Sequence, residues 1–184
     1  MTLSSADIKQ ALVDKTISID PLDEKDIGPA SVDVHMGNEL IFFGRYAMGD
    51  HYLTIRDGVV TNSYEYPITL QDGIGRVILP GQFFLVAIQE SITIGNSIVA
   101  QIHGVSTLAR MGLQIHTSGF IDPGWSGKLT LQVSNLNTLP IEIIGGMRIA
   151  QISFTKLLSA SIKEYEGRYK NAQKTQTART ITKK

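Results

Sequence analysis

Residues 104–135 read GVSTLARMGLQIHTSGFIDPGWSGKLTLQVSN, and this stretch decides the fold. A small-residue turn opens it, an Asp-Pro-Gly turn lies in its middle and a period-two pattern closes it. In the last part Leu129, Leu131 and Val133 alternate with polar neighbours. Such alternation is typical of a strand with one apolar and one polar face. The stretch therefore predicts short strands joined by turns.

The opening turn, from Gly104 to Thr107, is followed closely by Arg110. Backbone N–H groups in such a turn, together with two hydroxyls and a guanidinium, can hold phosphate oxygens. Gly-Ser-Thr turns are also common as plain loops, in which the hydroxyls bond their own backbone. These residues alone leave both interpretations open.

The middle turn contains Asp122 and, three residues later, the only tryptophan, Trp125. An aspartate before Pro-Gly commonly forms a turn, whereas near a phosphate the same carboxylate orients an attacking water. Trp125 either packs over a sugar or base or fills the core. Gln132 belongs to the polar face of the final strand, which is the ligand-facing side if a binding site lies there.

Short β-rich runs separated by Gly, Pro, Asn and Asp extend on both sides of this stretch. Many short strands at close spacing, without helix-length patterns between them, indicate a sandwich or barrel. Gly145 and Gly146 fit a hairpin turn. The predicted strands span residues 77–79, 83–88, 92–94, 98–102, 113–117, 128–134, 141–144 and 148–154.

The N-terminus and the middle of the chain do not share the pattern of short strands. Ser4 and Asp7 have capping-box spacing, and Ile8 and Ala11 share one helical face, which predicts a short N-terminal helix. Residues 46–75 hold several polar residues and few clear alternations. We interpret them as a hairpin insertion.

The C-terminus changes character. Residues 168–184 have six Lys or Arg residues, no acidic residue and little apolar content, so they bury little on their own. We therefore predict a folded domain over residues 1–167 and a flexible basic arm over residues 168–184. The arm is either a frayed tail or a segment that folds over a phosphate-bearing ligand.

The composition restricts the classes of function. A length of 184 residues suits one domain with a sizeable core, and 17 basic residues balance 17 acidic ones. No global field favours nucleic acid or an anionic membrane, so a small polyanion requires a local basic pocket. The lack of cysteine excludes disulfides and thiolate chemistry. With no signal-peptide or membrane-spanning pattern, we expect a cytoplasmic protein.

These motifs together resemble the dCTP deaminase family, which shares its fold with trimeric dUTPases. The resemblance depends first on residues 106–110 (STLAR) and 121–127 (IDPGWSG). Further segments match in order and spacing, at residues 28–34, 79–83, 146–152 and 168–173, whereas residues 46–75 match least. The implied fold is all-β, a distorted barrel or jelly roll of the dUTPase-like (β-clip) type, with a short N-terminal helix and a flexible C-terminal arm.

The resemblance also implies a homotrimer with active sites between subunits and Mg²⁺ bound through the triphosphate of dUTP or dCTP. Ser106, Thr107 and Arg110 are then expected to contact phosphates and to organise the catalytic water. Asp122 is expected at the sugar and this water, and Trp125 beside the deoxyribose. The remaining expected substrate contacts come from Gly119, Phe120 and Ile121 at the pyrimidine edge, and from Tyr165, Arg168, Lys170 and Gln173 at the closing segment.

Two positions depart from the dCTP deaminase pattern. Gln132 stands where those deaminases have a proton-shuttling glutamate, and a neutral amide positions water without shuttling its proton. Val105 stands where an arginine usually grips the triphosphate. Because hydrolysis needs Asp122 but no glutamate at position 132, the sequence favours cleavage of dUTP to dUMP and pyrophosphate. The alternatives are a dCTP deaminase that forms dUTP and ammonia, and an inactive module that binds or senses deoxynucleotides.

The four histidines lack metal-ligand spacing, so we expect no metal site made by the protein itself. His116 follows an apolar strand position, and we expect it to be a hydrogen-bonded structural histidine.

Overall fold

The computed structural model describes residues 1–43, 54–56, 59–61, 65–71, 73–116 and 119–179. Within these ranges the helical elements are α1 (Ser5–Val13), α2 (Ser106–Arg110) and one 3-10 turn (Glu24–Asp26). The strands are β1 (Ile17–Asp20), β2 (Val32–Phe43), β3 (Thr54–Arg56), β4 (Val59–Thr61), β5 (Glu65–Thr69), β6 (Arg76–Ile78), β7 (Phe83–Ile88), β8 (Ser91–Ile94), β9 (Ile98–Gly104), β10 (Leu113–His116), β11 (Phe120–Ile121), β12 (Ser126–Gly127), β13 (Thr130–Asn135), β14 (Ile141–Ile143) and β15 (Arg148–Lys156).

Helix α1 begins with the capping box that the sequence predicts. The Ser4 hydroxyl accepts a hydrogen bond from the Asp7 N–H, and the Asp7 carboxylate accepts one from the Ser4 N–H at 3.0 Å. The Ser4 hydroxyl and then its backbone N–H hold the pKa of Asp7 below its usual value. Ile8 and Ala11 face inwards and are buried. The cap and the buried face together explain why this short segment is helical.

One curled antiparallel sheet organises the molecule. Its order is β10-β13-β7-β2-β15-β9-β11, and β5 also pairs with β2. The first half of the long strand β2 pairs with β15 and its second half with β5, so the sheet curls along β2. This half-barrel, with mostly β structure, confirms the predicted fold class.

The ladder between β2 and β7 is irregular. Met36 lies opposite Ile88 and Leu40 opposite Val86, so β2 advances four residues while β7 advances two. Such a bulge bends the strand and leaves extra residues without ladder partners. Glycine is required at residue 37, because a Cβ there would lie 2.7 Å from the Ala87 carbonyl oxygen.

A second sheet, in the order β1-β8-β12, closes the core, and the pairs β6/β14 and β3/β4 form small ribbons. Buried side chains from both main sheets and from α1 form one continuous cluster. The largest of the fully buried side chains are Phe84 and Phe154. One core therefore supports the whole described body, which is what a chain of this length permits.

The eight predicted strands are present with ends that shift by at most two residues, although residue 117 lies outside the described residues. The prediction of a plain turn before Arg110 is wrong in part, because Ser106–Arg110 forms the short helix α2, held by its buried Leu108. Of the predicted insertion, β3 and β4 pair as a hairpin, whereas β5 joins the large sheet. Residues 46–53, 57, 58, 62–64 and 72 of that insertion lie outside the described residues.

Candidate active site

A cavity of about 500 Å³ lies against the polar face of β13. Its size falls in the range of small-molecule sites. Three parts of the chain enclose it: strand β13 with its neighbours, the loop from Gly119 to Trp125, and the segment that runs from Tyr165 into the arm. The residues at its wall are Phe43, Glu65, Phe83, Leu85, Ile102, His116, Gly119, Phe120, Ile121, Asp122, Trp125, Lys128, Leu129, Thr130, Leu131, Gln132, Tyr165, Tyr169, Ala172, Gln176, Thr177 and Ala178.

Gln132 occupies the middle of the β13 wall. Its side chain is half-buried, and its Nε2 donates to the Thr130 carbonyl oxygen at 3.1 Å. This hydrogen bond uses one N–H of the amide, whereas no hydrogen bond to its Oε1 is seen among the described residues. The wall therefore offers an uncharged, oriented amide at this position.

His116 lies directly opposite Gln132 in the β10/β13 ladder and also lines the cavity. Its Nε2 is 2.8 Å from the Ser134 Oγ, and its ring packs beside Phe83 with centroids 6.1 Å apart. The prediction of a hydrogen-bonded histidine is therefore confirmed. The structure adds that His116 lies at the cavity.

The second wall begins with the Asp-Pro-Gly turn. Trp125 N–H donates to the Asp122 carbonyl oxygen at 3.2 Å, and Gly124 has a φ of +79°, so the turn depends on that glycine. The turn leaves Asp122 exposed at the cavity, while Trp125 is buried. The indole Nε1 donates to the Gly127 carbonyl oxygen at 3.2 Å, and the ring packs against Tyr165 with centroids 5.1 Å apart.

The arm docks beside this wall through backbone hydrogen bonds. Asn171 N–H donates to the Ser126 carbonyl oxygen, and Lys128 N–H donates to the Ala172 carbonyl oxygen, both at 2.7 Å. Gly127 permits the close approach, because a Cβ there would lie 2.7 Å from the backbone nitrogen of Ala172. Gln176, Thr177 and Ala178 then line the cavity.

The charges at the cavity are few and mixed. Asp122 and Glu65 carry carboxylates, and Lys128 is the one Lys or Arg among the described residues that line it. A triphosphate carries several negative charges, so this wall of a single chain offers too few cations for one.

The structure brings together seven of the predicted site residues. Gly119, Phe120, Ile121, Asp122, Trp125, Gln132 and Tyr165 line the cavity. Arg168, Lys170 and Gln173 belong to the docked arm but not to the cavity wall. Arg168 instead exchanges hydrogen bonds with Arg179, each guanidinium donating to the carbonyl oxygen of the other.

Ser106, Thr107 and Arg110 lie on α2, exposed and outside the cavity of the single chain. Val105, just before them, is buried and caps α2 without a side-chain hydrogen bond. The valine side chain at this position therefore packs in the hydrophobic core. Its burial gives a physical reason for the departure noted in the sequence.

Sequence reasoning did not find several residues of the wall. Phe83 and Leu85 are predicted strand residues, and their pairing with β13 is a long-range fact that alternation alone cannot reveal. Tyr169 and the segment from Gln176 to Ala178 lie in the arm, where low apolar content hides their contact with the body.

The described residues contain no group of three or more His, Asp or Glu side chains arranged to hold a metal ion. Neither of the α-helices in the described segments has the length and hydropathy that crossing a bilayer requires.

Comparisons with known proteins place the chain in a family. The model of the dCTP deaminase-like family matches residues 2–157. A relative from Methanosphaera stadtmanae, named dCTP deaminase, dUMP-forming, is 37% identical over 165 residues, which cover 89% of this chain and 83% of that protein. A relative of the same name from Sulfurihydrogenibium sp. is 34% identical over 179 residues and 97% of both chains.

A solved structure agrees at the level of fold. The 2′-deoxycytidine 5′-triphosphate deaminase from Agrobacterium tumefaciens aligns with a TM-score of 0.63 at 22% identity, covering 83% of this chain and 48% of that chain. The family model spans most of the chain, including every strand of the curled sheet. The chain therefore belongs to the dCTP deaminase-like family.

Proposed function

We propose that this protein hydrolyses dUTP to dUMP and pyrophosphate. The observation that carries the proposal is the cavity itself, where the Asp122 carboxylate, the Trp125 indole and the uncharged Gln132 amide share one enclosed space. The relatives named dUMP-forming support a hydrolytic step, since the product in their name is a monophosphate.

Asp122 positions the attacking water in the proposed reaction. Its exposed carboxylate accepts a hydrogen bond from a water molecule, whose oxygen attacks the α-phosphorus. As that bond forms, the bond from the α-phosphorus to the oxygen bridging to the β-phosphorus breaks, and pyrophosphate leaves. The proton of the water passes to the carboxylate and then to solvent.

Trp125 and the adjacent loop bind the nucleoside. The buried indole, fixed by its hydrogen bond to Gly127, offers a rigid apolar surface for a deoxyribose. We expect this packing to disfavour a 2′-hydroxyl. Main-chain groups of Gly119, Phe120 and Ile121 at the cavity are suited to read the edge of a pyrimidine.

The phosphates require a second source of positive charge, because Lys128 is the one cation at the described cavity wall. We propose that a neighbouring subunit of a homotrimer supplies Ser106, Thr107 and Arg110, which are exposed on α2 and away from the cavity of their own chain. We also expect Arg168, Lys170 and Gln173 on the arm to add contacts when a nucleotide is bound, although in this structure they lie outside the cavity wall.

Mg²⁺ fits this site as an ion bound through the substrate. Mg²⁺ usually keeps several waters and binds one or two carboxylates plus phosphates, so it needs no cage of protein ligands. The described chain has no such cage, and the carboxylates at the cavity wall are those of Asp122 and Glu65. When bound, the ion would neutralise charge that develops on the phosphates.

A second candidate reaction is the deamination of dCTP, favoured by the names of the two relatives. This reaction needs a group that takes a proton from water and returns it to the leaving ammonia. The Gln132 amide cannot do so, and we therefore place deamination second. A non-catalytic module that binds or senses a deoxynucleotide is the third reading.

A substrate panel separates these functions. Purified protein is incubated with dUTP or dCTP in the presence of Mg²⁺, and dUMP, dUTP, pyrophosphate and ammonia are quantified. We expect dUMP and pyrophosphate from dUTP at a rate well above that of ammonia from dCTP. Faster release of ammonia from dCTP would overturn the ranking, and saturable binding without product would indicate the sensing module.

A further inference from the structure

The bulge between β2 and β7 leaves two backbone groups facing each other without a ladder partner. They are the Ala87 N–H on β7 and the Glu39 carbonyl oxygen on β2, which lie between the pairs Met36/Ile88 and Leu40/Val86. Buried backbone groups of this kind are almost always hydrogen-bonded in native proteins, because an unmade hydrogen bond is costly.

The side chain of Thr175 fills this gap from the arm. Ala87 N–H donates to the Thr175 Oγ1 at 2.9 Å, and the same hydroxyl donates to the Glu39 carbonyl oxygen at 2.6 Å. Thr175 is only 5% exposed, although it lies in a segment rich in exposed polar residues. A hydroxyl is suited to this place because it accepts and donates at the same time.

The residue after Thr175 is held in the same region. Gln176 N–H donates to the Thr130 Oγ1 at 3.0 Å, on the strand that carries Gln132. Gln176, Thr177 and Ala178 then line the cavity, as Tyr169 and Ala172 do earlier in the arm. The hydroxyl of Thr175 thus fixes the arm at the point where it reaches the cavity.

We propose that Thr175 is a positioning residue, whose hydroxyl joins the arm to the β2/β7 bulge and sets the fraction of molecules in which the arm covers the cavity. The covered state then exists without nucleotide, and the arm opens only when two buried backbone groups lose their partner. The kinetic part of the test rests on the proposed function, whereas the part that measures arm opening does not.

The test compares Thr175→Val with Thr175→Ser. Valine keeps the shape and removes both hydrogen bonds, whereas serine keeps the hydroxyl. We expect trypsin to cleave after Lys170 and Lys174 about tenfold faster or more in the valine variant, because the closed state loses both bonds. Cleavage after Lys25, remote from the arm, serves as the internal reference, and the serine variant is expected to cleave close to the wild-type rate.

The kinetic readout separates positioning from plain destabilisation. If fewer molecules have the arm closed, the KM for the turned-over nucleotide rises by up to the same factor while kcat at saturation is retained. A loss of folded protein would instead lower the apparent kcat at an unchanged KM. Thr69→Val on the exposed strand β5 is the matched control, with both readouts expected at wild-type values.

Wild-type cleavage rates at Lys170 and Lys174 in Thr175→Val would overturn the proposal, whatever the enzyme turns over. Equal effects of valine and serine would also overturn it, because they would assign the role to the threonine methyl group. If neither dUTP nor dCTP is consumed, the cleavage data still decide the role of Thr175, and only the proposed function fails.

Discussion

Asp122 is the residue on which the proposed hydrolysis most depends. Its carboxylate lies on the Asp-Pro-Gly turn at the cavity. Asp122→Asn keeps the size of the side chain but removes its ability to take a proton. We expect kcat for dUTP to fall by about 10²–10⁴-fold, with the KM changed much less. The rate of pyrophosphate release measures kcat, and Asp20→Asn, at an exposed position of β1, is the control. An unchanged kcat would remove Asp122 from the water-positioning role.

Gln132 decides between the two family chemistries. Gln132→Glu places a titratable group in the same oriented position, so we expect the release of ammonia from dCTP to rise by about 10²-fold or more. Gln114→Glu adds the same charge on the neighbouring strand, at a residue outside the cavity wall, and is expected to leave the rate unchanged. If Gln132→Glu releases no more ammonia than the wild type, the amide is not what limits deamination.

Single residues were the part of the site that the sequence predicted best. Asp122, Trp125 and Gln132 stand out in one short stretch, as a turn aspartate, a lone tryptophan and a polar position in an alternating strand. The structure brings all three to one cavity. The burial of Val105 was not predictable in the same way, since it depends on how α2 packs on the body.

At the scale of elements, the approach of the arm to β12 leaves no space for a side chain at Gly127. Gly127 has a φ of +123°, and any Cβ there meets the backbone of Ala172. We expect Gly127→Ala to displace the arm and to raise the KM for dUTP by about tenfold. Gly81→Ala is the control for a positive φ without a clash, because its φ of +74° brings backbone strain of roughly 1 kcal/mol with open space around the new methyl group. Equal KM values for the two variants would contradict this account.

Elements with local signals were predicted and elements with long-range causes were not. The capping box predicted α1, and apolar runs bounded by turns predicted eight strands. Strand β2 was missed, since Gly37, Asn38 and Glu39 interrupt its alternation where it bulges against β7. The sequence left undecided whether the arm docks on the body, for a related reason. Its hydrogen bonds use backbone groups and the hydroxyls of Thr130 and Thr175, which leave no mark on the apolar pattern.

For the whole molecule, the proposed trimer divides each site between two subunits. Arg110→Ala removes the exposed cation on α2, and Asp122→Asn removes the carboxylate at the cavity, so each variant alone is expected to be nearly inactive. In a homotrimer re-assembled from equal amounts of both, about a quarter of the sites receive both intact groups. We expect dUTP hydrolysis to recover to about that fraction, measured after the subunits are exchanged and compared with unmixed samples.

Failure of the mixture to regain activity, with exchange verified by mass spectrometry, would show that Arg110 and Asp122 act within the same chain. Sedimentation at working concentration provides the independent check on subunit number. A monomer that still hydrolyses dUTP would contradict the shared site directly.

The packing of Trp125 against Tyr165 also gives the protein a built-in optical signal. As the sole indole in the chain, this ring produces all of the tryptophan fluorescence, and it is shielded from water beside the segment that leads into the arm. When that segment moves away, water reaches the indole and its emission shifts to longer wavelength. The proposed opening and closing of the arm can thus be followed in real time by stopped-flow spectroscopy, without any attached dye.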